Sequence, residues 1–225
     1  MEFLLQPAVY STGSNKNLLS MLSNMWINNT NSGNGTLFII SGFANYNGGV
    51  RFYPHFTKHI HDGGKVKVLI GGSSSQRLSS QQVVEALLNC GAEVYVVNRK
   101  RLVHAKCYGF STTDENELIV TSGNFTGPGM SQNAEAAIHI DDEQLDKINF
   151  SWDDLFSNIF AQNWDIYKMD VSDIASKKDL GWKLLYDEIG DVAKLDDDQE
   201  VTMIVTLSHS DTARIQASPG AKSGL

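Results

Sequence analysis

The stretch Leu102-Val-His-Ala-Lys-Cys-Tyr-Gly-Phe110 decides how the rest of the chain is read. Taken as a strand, it projects His104, Lys106 and Tyr108 from one face and Val103, Ala105 and Cys107 from the other, a chemical face backed by an apolar one. Downstream, a second strand-like run, Glu117 to Ser122, leads into Thr121-Ser-Gly-Asn-Phe-Thr126, a Gly-loosened turn bearing a carboxamide at a strand terminus. Asn133-Ala-Glu135 then opens a third run, Ala134 to Ile140. Sites in α/β sheets form at strand termini, so His104, Lys106, Ser122, Asn124 and Glu135 read as one set.

Upstream of this set, apolar runs at Leu37 to Gly42, Val66 to Gly71 and Val94 to Asn98 predict further strands. Helical spacing joins Leu18, Leu19, Leu22 and Met25 to Ile27, and again Val83, Val84, Leu87 and Leu88 before the stop signal Asn89-Cys90-Gly91. Alternation of the two patterns predicts an α/β domain with a mixed sheet flanked by helices. From Asp141 onward the spacing is helical (Leu145, Ile148, Leu155, Ile159; then Ile174, Leu180, Leu184, Ile189) until Asp196-Asp-Asp198 breaks it. A β-branched stretch, Val201 to Leu207, and a turn-rich tail follow. The expected division is therefore a domain over 1–198, then a linker and the start of a further domain over 199–225.

The 225 residues carry a net charge of -8, with 41% hydrophobic residues. That composition belongs to a globular protein and excludes fibre or disorder. No apolar run is long enough to span a bilayer and the start lacks a basic leader, so a cytoplasmic location is expected. The acidity is local: residues 1–140 hold 10 basic and 8 acidic groups, whereas residues 141–200 hold 6 and 17. A polyanionic partner is thus not excluded, and the most basic run, Arg99-Lys100-Arg101, lies in the neutral part. The acidic block reads either as a solvated helical face or as a guard mimicking DNA. Cys90 and Cys107 have no zinc spacing. His55, His59 and His61 lack an acidic helper in register, so no metal site is expected. Gly71-Gly-Ser-Ser-Ser75 resembles a phosphate-cradling turn but lacks both the dinucleotide and the Walker patterns, so a tight strand-to-helix turn is expected. Trp152, Trp164 and Trp182 sit at helical spacing and read as packing residues.

The residue set suits phosphoryl transfer. An imidazole attacks phosphorus, Lys106 and the Asn124 amide donate to non-bridging oxygens, and a carboxylate such as Glu135 holds the imidazole tautomer. Ser122 reads equally as a phosphate contact or as turn chemistry. His104-Ala-Lys106, Ser122-Gly-Asn124 and Asn133-Ala-Glu135 together resemble the active-site signature of the phospholipase D superfamily, particularly its nucleases. That pattern places an Asp where this chain has Ser111. The chain is similar to the N-terminal catalytic part of metal-independent type II restriction endonucleases. The resemblance implies DNA phosphodiester hydrolysis without metal or other cofactor, through a phosphohistidine on His104. With one motif per chain, it also implies a homodimer sharing one site. Arg99, Lys100 and Arg101 are expected to hold DNA backbone, and no membrane partner is expected. The rival readings are a catalytically silent DNA-binding or assembly module of the same fold and a phospholipase D-type phosphodiesterase. A nucleotide-binding regulatory domain built on the Gly71 loop is a third.

Overall fold

The computed structural model describes residues 1–189 and two further strands, Met203–Leu207 and Ala213–Ala217. By contact density the chain divides into two units, Met1–Tyr186 and Asp187–Leu225. The first is organised by β3 (Thr36–Ser41), β4 (Lys65–Gly72) and β5 (Glu93–Asn98), which run parallel, Ile39 opposite Val68 and Val68 opposite Val94. Their near-continuous Leu, Ile and Val runs are what strands covered on both faces require. On the other side of β3 the sheet turns antiparallel through β6 (Lys106–Ser111), β7 (Asn116–Thr121), β8 (Glu135–Ile140), β1 (Glu2–Gln6) and β2 (Tyr10–Ser11). β9 (Ile166–Lys168) closes the far edge against β5, making nine strands in the order β2-β1-β8-β7-β6-β3-β4-β5-β9.

Both faces are covered. One carries α1 (Leu18–Ser23, continued by a π-helical turn over Asn24–Asn28), α3 (Tyr53–His61) and α4 (Gln81–Asn89). Trp26, Phe52, Phe56, Val83 and Leu87 from these elements bury against Leu37, Ile39, Tyr108 and Ile119. The other face carries α6 (Asp142–Lys147) and α7 (Trp152–Phe160). Their Leu145, Trp152 and Phe156 meet Phe38, Ile40, Leu69 and Leu118, with Phe38 and Trp152 stacked 4.7 Å apart. The short helices α2 (Tyr46–Gly49), α5 (Gly127–Ser131) and α8 (Leu180–Lys183) complete the unit. Gly109 lets the two layers approach the sheet: the Trp26 indole donates to its carbonyl at 2.9 Å, and a Cβ there would lie 2.1 Å from the Trp152 ring. Asp141, Ser151 and Asp170 cap the elements that follow them, so part of the acidic block satisfies helix N-termini.

Three expectations change. The strand expected over Leu102 to Phe110 begins only at Lys106, because β3 ends at Ser41, opposite Lys106, and leaves residues 102–105 no ladder to join. Strand β1 was not expected, since Glu-Phe-Leu-Leu-Gln does not alternate, and β9 is a three-residue insertion in the helical region. Both faces of β6 are covered, and Tyr108, on the His104 and Lys106 face, is fully buried. In the second unit, β10 (Met203–Leu207) and β11 (Ala213–Ala217) pair antiparallel. Asp196 to Asp198 and the tail from Ser218 lie outside the described residues.

Candidate active site

The sheet end at which β3, β4 and β5 finish brings the predicted residues together. Ser41 and Lys106 are register partners there, Ser122 follows β7 and Glu135 opens β8. His104 lies in the exposed lead-in to β6, and its backbone rides over Gly42, where a Cβ would meet the Val103 carbonyl at 2.5 Å. Lys106 is buried, and its ammonium donates to the His104 carbonyl at 2.8 Å and lies 3.3 Å from His104 Nε2. An ammonium only donates. A contact donated by the ammonium calls for an accepting Nε2, the arrangement in which the ring proton sits on Nδ1.

Asn124 is 8% exposed, and its Oδ1 accepts from the Phe43 N–H at 3.1 Å. That bond fixes the amide orientation and leaves Nδ2 without a protein acceptor among the described residues. The turn itself is held from below. Ser41 Oγ accepts from the Phe125 N–H at 3.0 Å and donates to the Phe43 carbonyl at 2.6 Å, while the Tyr108 hydroxyl donates to the Gly123 carbonyl at 3.0 Å. Burial pushes that phenol far above its usual range, so it stays a donor.

Within the single chain Glu135 is engaged by its own turn. Its carboxylate accepts from the Ser122 hydroxyl and, at 3.3 Å, from the Asn133 amide, and among the described residues it does not bond His104. The reason is the strand order: β7 lies between β6 and β8, so about two interstrand spacings, roughly 10 Å, separate the two residues' strands. The Ser122 oxygen also accepts from the Ala136 N–H at 3.1 Å. Ser111 stands at the other end of β6 from Lys106, about 17 Å along the strand, so the missing Asp leaves the site untouched.

Arg99, Lys100 and Arg101 are exposed just after β5, and Lys100 pairs with Asp165 at 3.1 Å. In α3, His59 is buried; its Nδ1 accepts from the Gly33 N–H at 3.1 Å and its Nε2 lies 3.3 Å from the Gly35 carbonyl. Both ring nitrogens are thus engaged in the fold, and desolvation lowers the pKa of His59 and of His55. Trp152 and Trp182 are buried in the core. One supporting residue was missed. Gln6, 1% exposed at the end of β1, donates to the Gly129 and Asn133 carbonyls at 2.9 and 3.2 Å and accepts from the Leu18 N–H at 2.5 Å. No sequence signal marks it, because its importance depends on β1 reaching β8.

Residues 46–164 match the family model described as "Cardiolipin synthase, PLD-like domain", and residues 195–225 match one described as "Metal-independent restriction enzyme BfiI DNA binding domain". No curated protein matches the chain. Among solved structures, the chain is similar to a phospholipase D family member, Nuc from Salmonella typhimurium (14% identity, TM-score 0.43, covering 68% of this chain and 89% of that one). NucT from Helicobacter pylori gives 11% identity and a TM-score of 0.41, covering 56% and 78%. Polyphosphate kinase from Porphyromonas gingivalis gives 12% and 0.42 over 62% of this chain, which spans only 20% of that enzyme's length. Among the described residues no helix is long and apolar enough to cross a membrane. With more than half of its length matched by the first model, the chain belongs to the phospholipase D-like family.

Proposed function

We propose that the chain is the catalytic part of a metal-independent, cytoplasmic restriction endonuclease that hydrolyses DNA phosphodiesters through a phosphohistidine. The observation that carries this reading is the Lys106 ammonium placed 3.3 Å from His104 Nε2 at the sheet end where Asn124 is also held. In the proposed reaction His104 Nε2 bonds to phosphorus as the P–O ester bond breaks. Lys106 shifts from Nε2 to a non-bridging oxygen, and Asn124 Nδ2 donates to another, holding the charge of the transition state. A second imidazole must protonate the leaving oxygen and then take a proton from the water that breaks the P–N bond. A homodimer supplies it as His104 of a second copy, restoring the two-histidine site with C2 symmetry. Ser122 and Glu135 hold the turn from which Asn124 projects. The basic run Arg99, Lys100 and Arg101 lies along the DNA backbone, with Lys100 partly neutralised by Asp165. The match of residues 195–225 to a DNA-binding model supports DNA over a phospholipid as substrate, and supports 199–225 as the start of a DNA-recognition domain after a catalytic domain over 1–198.

The test is incubation with plasmid and single-stranded DNA in excess EDTA, with His104→Ala alongside. Cleavage by the unaltered chain alone supports the reading. DNA that is bound but cut by neither overturns it in favour of the silent module. Light scattering that finds a monomer at micromolar concentration overturns the shared site.

A further inference from the structure

The loop Ser73 to Ser75 leaves the end of β4, beside the point where Arg99 and Lys100 leave β5. The two segments are stitched together by the Arg99 N–H, which donates to the Gly72 carbonyl at 3.0 Å. Between them lies a cavity of about 460 Å³ lined by Gly72 and Leu184 as well as by Ser73 to Ser75, Asn98, Arg99 and Lys100. Its donors are concentrated. The Ser73 and Ser75 hydroxyls bond each other at 3.2 Å and Ser73 Oγ also accepts from the Gln76 N–H at 3.3 Å, while the backbone N–H groups of the exposed Ser74 and Ser75 have no acceptor among the described residues. The two cations differ: Lys100 is paired with Asp165, whereas the Arg99 guanidinium has no partner among the described residues. A second cavity, of about 370 Å³ beside Tyr167 and Trp182, is lined by Asp170, Asp173 and Asp179 with Lys168 as its one cation, a net acidic lining.

We infer that the Ser73–Ser75 loop and Arg99 form a discrete phosphate-binding subsite for the backbone of the DNA strand, separate from the scissile position. Unpaired N–H groups, hydroxyls and a guanidinium facing one cleft are the donors that a tetrahedral oxyanion takes. Its placement fits a neighbouring phosphate. The His104 lead-in packs on Gly42, and a Cβ on Gly71 would lie 2.6 Å from the Gly42 carbonyl, so the cleft is one step further along the same sheet end. β4 lies two strands from β6, about 10 Å, a span that roughly three nucleotides of rise cover. This inference rests on the nuclease reading for its substrate but not for its anion chemistry.

The first measurement titrates the full chain with inorganic phosphate while following its backbone amides by NMR. Saturable shifts confined to Ser73–Ser75 and Arg99, lost in Arg99→Ala, are expected. Absence of saturable shifts there overturns the subsite, whether or not the chain cuts DNA. The second measures salt-dependent DNA binding by the His104→Ala chain, which reads binding without cleavage. Adding Arg99→Ala is expected to lower the log-log salt slope by about one, and adding Lys100→Ala to lower it by less than half as much. Equal slopes for the two variants, or none changed, overturn a built subsite in favour of diffuse charge. Phosphate binding with an unchanged slope overturns its use for the DNA backbone. Failure of the nuclease reading shows separately, as uncut DNA in the EDTA assay.

Discussion

Replacing Gln6 by leucine keeps the volume at the end of β1 but removes three hydrogen bonds from a residue 1% exposed. The Leu18 N–H, the first of α1, loses the acceptor now 2.5 Å away, and the Gly129 and Asn133 carbonyls lose donors at 2.9 and 3.2 Å. Each buried group left unpaired costs about 1–3 kcal/mol, and the low end applies to three neighbours that relax together, giving roughly 3–5 kcal/mol. The apolar leucine returns on the order of 1 kcal/mol by burial. The expected loss is therefore about 3 kcal/mol, a fall in Tm of roughly 6–12 °C for a chain of this size. Urea unfolding followed by tryptophan fluorescence measures it, and an unchanged m-value identifies it as a loss of native-state stability. Because Asn133 bonds Glu135, which in turn holds Ser122, DNA cleavage is expected to fall even where Gln6→Leu is fully folded. A loss under about 1 kcal/mol would refute the reasoning, since it would mean that the three groups reach water or other partners once Gln6 is gone.

Gly109→Ala is expected to cost about 2–3 kcal/mol by overpacking, because its Cβ would meet the Glu117 carbonyl at 2.4 Å as well as the Trp152 ring, and carbonyl backbone cannot rotate aside; calorimetry checks it. A pH series tests the buried histidines. His55 and His59 have folded pKa values below 6.5, so between those values and 6.5 the unfolded chain binds more protons. Their stabilisation is present above pH 6.5 and is lost as pH falls towards the folded values, with a slope of at most about 1.4 kcal/mol per pH unit for each. His59→Gln is expected to flatten the dependence, and an equal slope in the variant excludes His59 as its source.

The α/β class and the central strands were legible because strands buried on both faces need continuous apolar runs, as in Leu-Phe-Ile-Ile of β3 and Val-Leu-Ile of β4. His104, Lys106 and Asn124 stood out as candidates because the proposed phosphoryl transfer calls for those residue types. Whether each residue touches the others was not legible, since contact depends on strand order. Glu135 is suited to an imidazole by type, and within its own chain an intervening strand places it against Ser122 and Asn133 instead of against its own His104. Gln6 is nothing in sequence beyond a polar residue near the start, and becomes a clamp only when β1 pairs with β8 over a separation of more than 120 residues. Residues that carry the chemistry are marked in the sequence by what they are, whereas residues that hold them in place are decided by tertiary pairing, because a hydrogen bond across the fold requires only a donor and an acceptor brought within about 3 Å.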